Sequence, residues 1–240
     1  MRRFATALTV IMAGTTAAAG TAQAQSVGIS PAKPCYLTRD TISISGSGFT
    51  AGGPVGVTLD GTSLGQLLAD PAGNIAGEIT LGTMRGVRSH ALVATDATNP
   101  ALTSTASFVG TTLRVTVKPA QAKAGRKLRI NGAGFVSRQT GALAGRNVFM
   151  HVRGPGGYKS DGRVTRLKAP CGTFSVRRRI VPTSADSGRY RVQFDSARRF
   201  SRKTQPRFRG VMTVSTTVVG ARVSLFGGLG LAQRWTTLGA

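Results

Sequence analysis

One near-copied phrase constrains the fold of this 240-residue chain more than any other feature. The stretch TISISGSGF at residues 41–49 returns as KLRINGAGF at residues 127–135. Each copy alternates apolar and polar residues as a β-strand does, and then runs into a Gly-x-Gly-aromatic turn. A repeat of this kind indicates two similar β-domains in tandem and argues against a single α/β enzyme fold.

Other short strands are expected in the same order in both copies. In the first copy they are predicted at 55–59, 63–68, 75–81, 91–95 and 104–109, separated by turn residues such as Asp60-Gly61 and Asn99-Pro100. The second copy follows this order and carries about seven extra residues around 139–146, a loop insertion of the kind that β-domains accept. The pattern predicts an all-β chain of two Greek-key β-sandwiches.

The repeated motifs resemble a known class of domain. Pro31 followed by ISGSGF, and Pro119 followed by INGAGF, look like the immunoglobulin-like domains of secreted and surface bacterial proteins, especially the transcription-factor-immunoglobulin-like type. The resemblance covers about 25–215 and implies tandem immunoglobulin-like sandwiches that serve as spacers, adhesins or accessory modules. The run ending at Tyr190 also resembles the corner before a late sandwich strand, where a tyrosine hydroxyl bonds back to nearby backbone.

The chain divides into four segments. Arg2 and Arg3, an apolar stretch to Ala19 and the small-x-small site Ala22-Gln23-Ala24 predict a secretory signal peptide over 1–24. The first immunoglobulin-like domain is predicted over 25–110 and the second over 111–215. An apolar, Gly-rich tail follows over 216–240, which either adds a last strand followed by a loosely packed end, or docks a protein partner or touches a membrane. No transmembrane span is expected.

Charge is distributed very unevenly between the two copies. Residues 25–110 hold four basic and five acidic side chains, a net of −1, whereas residues 111–210 hold twenty-four Lys and Arg against three Asp, a net of +21. Nearly all of the net charge of +24 therefore lies in the second copy. A field of this size attracts polyanions and raises association rates at low salt.

The chain has two cysteines, Cys35 and Cys171, and they do not occupy equivalent places in the repeat. Neither domain can form its own bridge, so a Cys35–Cys171 disulfide would join the first domain to the second in an exported protein. Two separate thiols, buried or paired between chains, are the alternative.

Catalytic and metal-binding patterns are missing. His90 is expected in the core or at a corner, and His151 is expected to face solvent from a strand. No CxxC or HxxxH spacing suggests zinc, and the eight acidic residues lie mostly in turns. The glycines of the repeated phrase precede strand-like sequence and not a helix, which excludes a phosphate loop. Neither an enzyme nor a cofactor nor a metal site is expected.

Basic side chains of the second copy form the candidate site. Alternation along the predicted strand 174–180 points Arg177 and Arg179 outward, and Arg189 and Arg191 point outward on a second strand that is expected to lie beside the first. Guanidinium groups on adjacent strands would make a flat cationic face suited to phosphates. The predicted polyanion-binding residues are Arg177, Arg179, Arg189, Arg191, Arg198, Arg199, Arg202 and Lys203.

Charge and export together predict a non-enzymatic binding protein, secreted or associated with the cell surface. Its second domain would contact an anionic polymer or surface, namely a cell-wall polymer, lipopolysaccharide, anionic lipid or DNA, through counterion release. The competing hypothesis is a structural spacer or assembly protein of the cell surface that has no specific ligand and whose charge serves solubility.

Overall fold

The computed structural model describes residues 25–119, 121–122, 124–214 and 219–220. The predicted signal segment 1–24 and nearly all of the predicted tail 216–240 lie outside the described residues. The described chain is all-β, and its single helical element is the 3-10 turn Pro155–Gly157. No helix among the described residues is long and apolar enough to cross a membrane.

The first copy forms two sheets around one core. The strands are β1 (Ser26–Ser30), β2 (Tyr36–Leu37), β3 (Thr41–Ser47), β4 (Pro54–Leu59), β5 (Thr62–Leu68), β6 (Ile75–Thr80), β7 (Arg88–Asp96) and β8 (Thr103–Thr111). A three-stranded sheet has the order β1-β3-β6 and a five-stranded sheet has the order β2-β8-β7-β4-β5. Apolar side chains that alternate inward along these strands meet in a buried cluster.

The second copy repeats this plan with its own pair of sheets. The strands are β9 (Arg114–Lys118), β10 (Gln121–Ala122), β11 (Leu128–Ala133), β12 (Asn147–Arg153), β13 (Lys159–Arg166), β14 (Phe174–Arg178), β15 (Gly188–Asp195), β16 (Arg207–Val214) and β17 (Val219–Gly220). A three-stranded sheet has the order β14-β11-β9 and a six-stranded sheet has the order β10-β17-β16-β15-β12-β13. A second, separate cluster fills the space between them.

The glycines of the repeated phrase are required by the backbone. Gly48 and Gly134 have φ of 84° and 83°, a region that glycine reaches without steric cost. A side chain at Gly132 would run into the ring of Phe174 on the neighbouring strand. The aromatic residue that ends each phrase, Phe49 or Phe135, is buried as expected.

A tyrosine corner closes the second sandwich, as the sequence predicts. Tyr190 is buried, and its hydroxyl donates to the carbonyl of Asp186 at 2.9 Å. Burial, followed by the charge of Asp186, raises the pKa of this phenol. At the equivalent third position of β7, His90 is also buried, as expected, and stacks on Phe108 with ring centroids 5.3 Å apart.

A disulfide joins the two sandwiches. Cys35 and Cys171 are bonded across a sequence separation of 136 residues, and both are completely buried. They pack with Leu37 and Val136 in a small apolar cluster between the two cores. Of the two alternatives left by the sequence, the inter-domain bridge is the one that forms.

The loop inserted in the second copy forms the polar half of the same junction. Arg138 donates to the buried carboxylate of Asp40 at 2.7 Å and to the carbonyl of Thr38 at 3.2 Å. Lys33 pairs with the same carboxylate at 3.1 Å and donates to the carbonyl of Arg138 at 2.6 Å. Gly141 lies so close to Cys35 that a side chain there would meet the Cys35 carbonyl. The insertion therefore holds the second sandwich against the first.

Candidate anion-binding surfaces

The predicted cationic residues do not form one face. Arg177 lies on β14, in the three-stranded sheet, whereas Arg189 and Arg191 lie on β15, in the six-stranded sheet. The expectation that these two strands are neighbours is wrong, because the chain crosses from one sheet of the sandwich to the other between them. Alternation nevertheless holds on both strands, and all three arginines are exposed on the outer sides of their sheets.

The outer side of the three-stranded sheet carries an unbroken row of cations, here called the basic row. Arg129 of β11 lies directly opposite Arg177 of β14 on one side and Lys118 of β9 on the other. Lys127 and Arg179 continue the alternation at one end of the row, and all five side chains are exposed. No ion pair involves any of them within the part of the chain that the structure describes. Like charges that face each other across strands repel.

Sequence reasoning missed the central member of the row. Arg129 sits in the repeated phrase itself, between the buried residues Leu128 and Ile130, and this alternation could have marked it as outward-facing. What the sequence could not supply was the pairing of β11 with both β9 and β14, which brings the three cations together.

The outer side of the six-stranded sheet carries a second cationic area, here called the arginine cleft. Arg153 lies opposite Arg191 in the β12–β15 pair, and Arg189 lies two residues away on the same side. These arginines line a cleft of about 390 Å³ together with Gly154, Pro155 and Val211. Among the described residues, neither Arg189 nor Arg191 has an ion-pair partner.

Arg153 is held in a fixed orientation at the cleft. Its guanidinium donates to both carboxylate oxygens of Asp161, at 2.7 and 3.0 Å, and stacks on the ring of Phe200 at 4.6 Å. The hydrogen bonds from Arg153 lower the pKa of the Asp161 carboxyl below its ordinary value, so Asp161 is ionised near neutral pH. A bidentate pair of this geometry fixes the orientation of the Arg153 guanidinium beside the exposed Arg189 and Arg191.

The β15–β16 connection, residues 196–206 and here called the strap, folds over the outer side of the six-stranded sheet. The amide of Ala197 donates to Asp195 at 2.8 Å, and the side chain of Gln193 donates to the carbonyl of Ser201 at 2.8 Å. The four remaining predicted residues lie on the strap, and all are exposed: Arg198, Arg199, Arg202 and Lys203. They therefore belong to the same side of the sandwich as the arginine cleft.

His151 is a buried anchor of the strap and does not face solvent as its sequence context suggests. It is 0% exposed. Its Nδ1 lies 2.8 Å from Asp161, and its Nε2 lies 3.1 Å from the Ala197 carbonyl and 3.2 Å from Asp195. Both ring nitrogens therefore lie within hydrogen-bond distance of oxygen atoms, two of them on or beside the strap. His151 does point to the outer side of β12, but the strap covers that side, and strand alternation could not reveal this.

Comparisons with known proteins leave the chain without an assigned family. No family model matches it, and no protein of curated function matches it. Similar solved structures include a protein of Corynebacterium diphtheriae described as membrane anchored, with 11% identity and a TM-score of 0.33, and a variant of Salmonella alpha-2-macroglobulin, with 13% identity and a TM-score of 0.28. The two matches cover 83% and 79% of this chain, respectively. This chain in turn spans 59% of the length of the first protein and 15% of the length of the second. Likeness at this level carries no argument about function.

The described residues contain no group of three or more His, Cys, Asp or Glu arranged to hold a metal ion. The carboxylates of Asp161 and Asp195 lie within hydrogen-bond distance of different ring nitrogens of His151, so both point at the imidazole ring. The basic row and the arginine cleft present guanidinium and ammonium groups, which are hydrogen-bond donors without acceptor atoms.

Replacing His151 with Ala is expected to loosen the strap. The change removes the bonds to Ala197 and Asp195 and the ring contact with Phe200, and losing charge-assisted bonds of this kind costs about 1.5–3 kcal/mol. Trypsin cleavage within the strap should then accelerate by about 10-fold or more, because cleavage follows the population of locally opened protein.

The cleavage sites are read by mass spectrometry, and His90→Ala is the matched control. That change removes a buried histidine from the first sandwich and should leave cleavage of the strap unchanged. Equal cleavage rates in wild type and His151→Ala would mean that other contacts hold the strap.

Proposed function

We propose that this chain is an exported, non-enzymatic protein whose basic second sandwich binds an anionic polymer of the cell envelope. We further propose that both sandwiches are of the immunoglobulin-like type. The predicted signal peptide and a disulfide that needs an oxidising compartment support a secreted or surface-associated location. The ligand classes that the charge can recognise are a cell-wall polymer, lipopolysaccharide, anionic lipid and DNA.

The basic row is the observation that carries this proposal. Three cations occupy directly opposed residues of three adjacent strands, whose Cα atoms lie about 5 Å apart, and they have no acidic partner among the described residues. Like charges on opposed residues of neighbouring strands are destabilising. A surface whose only need was solubility would interleave both signs of charge, as the first sandwich does. Binding a polyanion relieves the repulsion and releases counterions from the polymer.

The inter-sandwich junction favours a second candidate function, that of a rigid spacer. A disulfide, an apolar cluster and the Arg138–Asp40 pair fix one sandwich against the other, as a structural element of a surface assembly would require. This role leaves the basic row without a purpose, so we place it second.

A salt series separates the two functions. The mature chain is expected to begin near Gln25. It is titrated against cell-wall polymer, lipopolysaccharide, anionic liposomes and DNA at salt concentrations that span about a tenfold range, from roughly 0.05 to 0.5 M. We expect one polymer to stay bound near 0.15 M salt, with a slope of log affinity against log salt of about −3 or steeper, because four or more cations act together. Weak adsorption to all four ligands, lost at the same salt concentration, would support the spacer.

A further inference from the structure

The two cationic areas of the second sandwich point in opposite directions. Ile130 and Phe174, from the three-stranded sheet, pack in the same core as Val152 and Phe194, from the six-stranded sheet. The rings of Phe174 and Phe194 lie 6.4 Å apart between the sheets. Residues that alternate with these core residues must leave the sandwich on opposite sides, so the basic row and the arginine cleft are back to back.

Neither side is neutralised by the protein itself. The second sandwich has three acidic residues, Asp161, Asp186 and Asp195. Asp161 is paired with Arg153 and His151, and Asp195 is buried beneath the strap. Asp186 lies in the connection between β14 and β15, beside the tyrosine corner. Both outer sides therefore present guanidinium groups that lack a carboxylate partner among the described residues.

The chemistry of the basic row favours a polymer chain over a bilayer. The large exposed apolar side chains of the described chain are Leu68, Val87 and Phe200, and none of them lies on the three-stranded sheet. The face between the cations is polar, with Thr116 and Asn131 as its next row. Three strands span about 10 Å, which is wide enough for one extended chain. Guanidinium forks match the oxygens of phosphate.

We propose that the second sandwich is bivalent: it binds one single-chain phosphodiester polymer of the poly(glycerol phosphate) type on the basic row and a second such chain on the arginine-cleft side, and so cross-links them. This inference rests on the proposed function and adds to it the class of ligand and the number of sites. Linking two sites on one rigid body gives an avidity for a network of chains that exceeds the affinity of either site.

Energy transfer between two labelled chains tests the proposal. Two pools of single-stranded oligothymidylate, a phosphodiester chain of defined length, carry a donor or an acceptor dye. They are mixed with the mature protein at 0.1 M salt, where the Debye length is about 10 Å. Binding of one chain is followed separately by fluorescence anisotropy. We expect wild type to bring donor and acceptor together, with poly(glycerol phosphate) as an effective competitor.

Three variants, each lacking three cations, locate the sites. One removes three of the five cations of the basic row (Arg129→Thr, Arg177→Thr, Arg179→Ser). One removes three cations from the other side (Arg189→Thr, Arg191→Thr, Arg198→Ser). The control replaces three exposed cations that belong to neither the basic row, the arginine cleft nor the strap (Arg85→Ser, Arg146→Ser, Lys168→Ser). We expect each single-side variant to keep chain binding within roughly threefold and to lose most of the energy transfer, at least about fivefold, while the control behaves as wild type.

Each other outcome has a definite meaning. Energy transfer that persists in both single-side variants would overturn bivalency. Energy transfer that is restored when the two variants are mixed would also overturn it, because the two chains would then be bridged by two copies of the protein. Stronger binding of duplex DNA or of anionic liposomes than of the single chain would overturn the choice of ligand. Wild type that binds the single chain weakly or not at all but retains one of the other ligands of the salt series would overturn the inference alone. Wild type that binds none of them would defeat the proposed function, and the inference would fall with it.

Discussion

Replacing Arg177, Arg179, Arg189 and Arg191 together with Glu is expected to lower the affinity of the mature protein for a single-chain phosphodiester polymer about 100-fold at 0.15 M salt. These residues lie in pairs on opposite sides of the sandwich, so each side loses two cations and gains two anions. Counterion release gives roughly a fourfold change in affinity per phosphate contact at this salt. A change of four units of charge on each side therefore lowers the affinity by a factor of the order of 100.

The strands should tolerate these changes. All four side chains are exposed, and the residues that alternate with them, such as Val176, Tyr190 and Val192, keep their places on the inner side. The melting temperature should stay the same or rise at low salt, because repulsion across the strands is relieved. Isothermal titration at several salt concentrations measures the affinity, and calorimetry checks the fold.

A matched variant separates sites from net charge. Replacing Arg85, Arg146 and Lys168 with Glu lowers the net charge by a similar amount, six units against eight, at exposed loop positions. If only the overall charge mattered, the two variants would lose affinity in proportion to these numbers. We expect the loop variant to stay within about fivefold of wild type, since charges beyond a Debye length are largely screened.

Removal of the disulfide is expected to produce the largest loss of stability. In the chain-entropy model, a bridge that closes a loop of 136 residues stabilises the folded protein by roughly 4 to 5 kcal/mol. Replacing Cys35 and Cys171 with Ala should lower the free energy of unfolding by this order. Because each sandwich has its own core, the loss should appear as two separate unfolding transitions where wild type shows one.

Calorimetry with and without reductant measures this effect. Reduced wild type should behave as the Ala variant does, which controls for the packing change at the two positions. Arg138→Ala, which removes only the polar contact with Asp40, should have a smaller effect, since Lys33 still pairs with that carboxylate. A melting profile unchanged after complete reduction would mean that the junction is held by its other contacts alone.

Much of the fold followed from local pattern. Alternation in the repeated phrase predicts which residues point inward, and Ile42, Ile44, Leu128 and Ile130 are indeed buried. The positive φ of Gly48 and Gly134 and the hydrogen bond of Tyr190 also follow from residue type and position. These features depend on a few adjacent residues, which is why a single sequence is enough to predict them.

The two expectations that proved wrong both concern contacts between distant segments. Arg177 and Arg189 are 12 positions apart, yet they lie on opposite sides of a sandwich because the chain crosses between sheets. His151 points away from the core as alternation requires, yet it is buried because the strap, some 46 residues later, folds over it. Alternation gives the side of a strand, but it carries no information about what covers that side.

The sequence alone determined the repeat, the all-β class, the inward and outward sides of each strand and the concentration of charge in the second copy, because all of these follow from residue type and short-range periodicity. Tertiary structure alone decided which strands are neighbours. Strand pairing placed Lys118, Arg129 and Arg177 in one row, crossing between sheets put a second cationic area behind it, and the inserted loop together with the disulfide joined the sandwiches. These outcomes depend on pairing and packing between segments far apart in the chain, where loop-closure entropy and burial act on the whole fold.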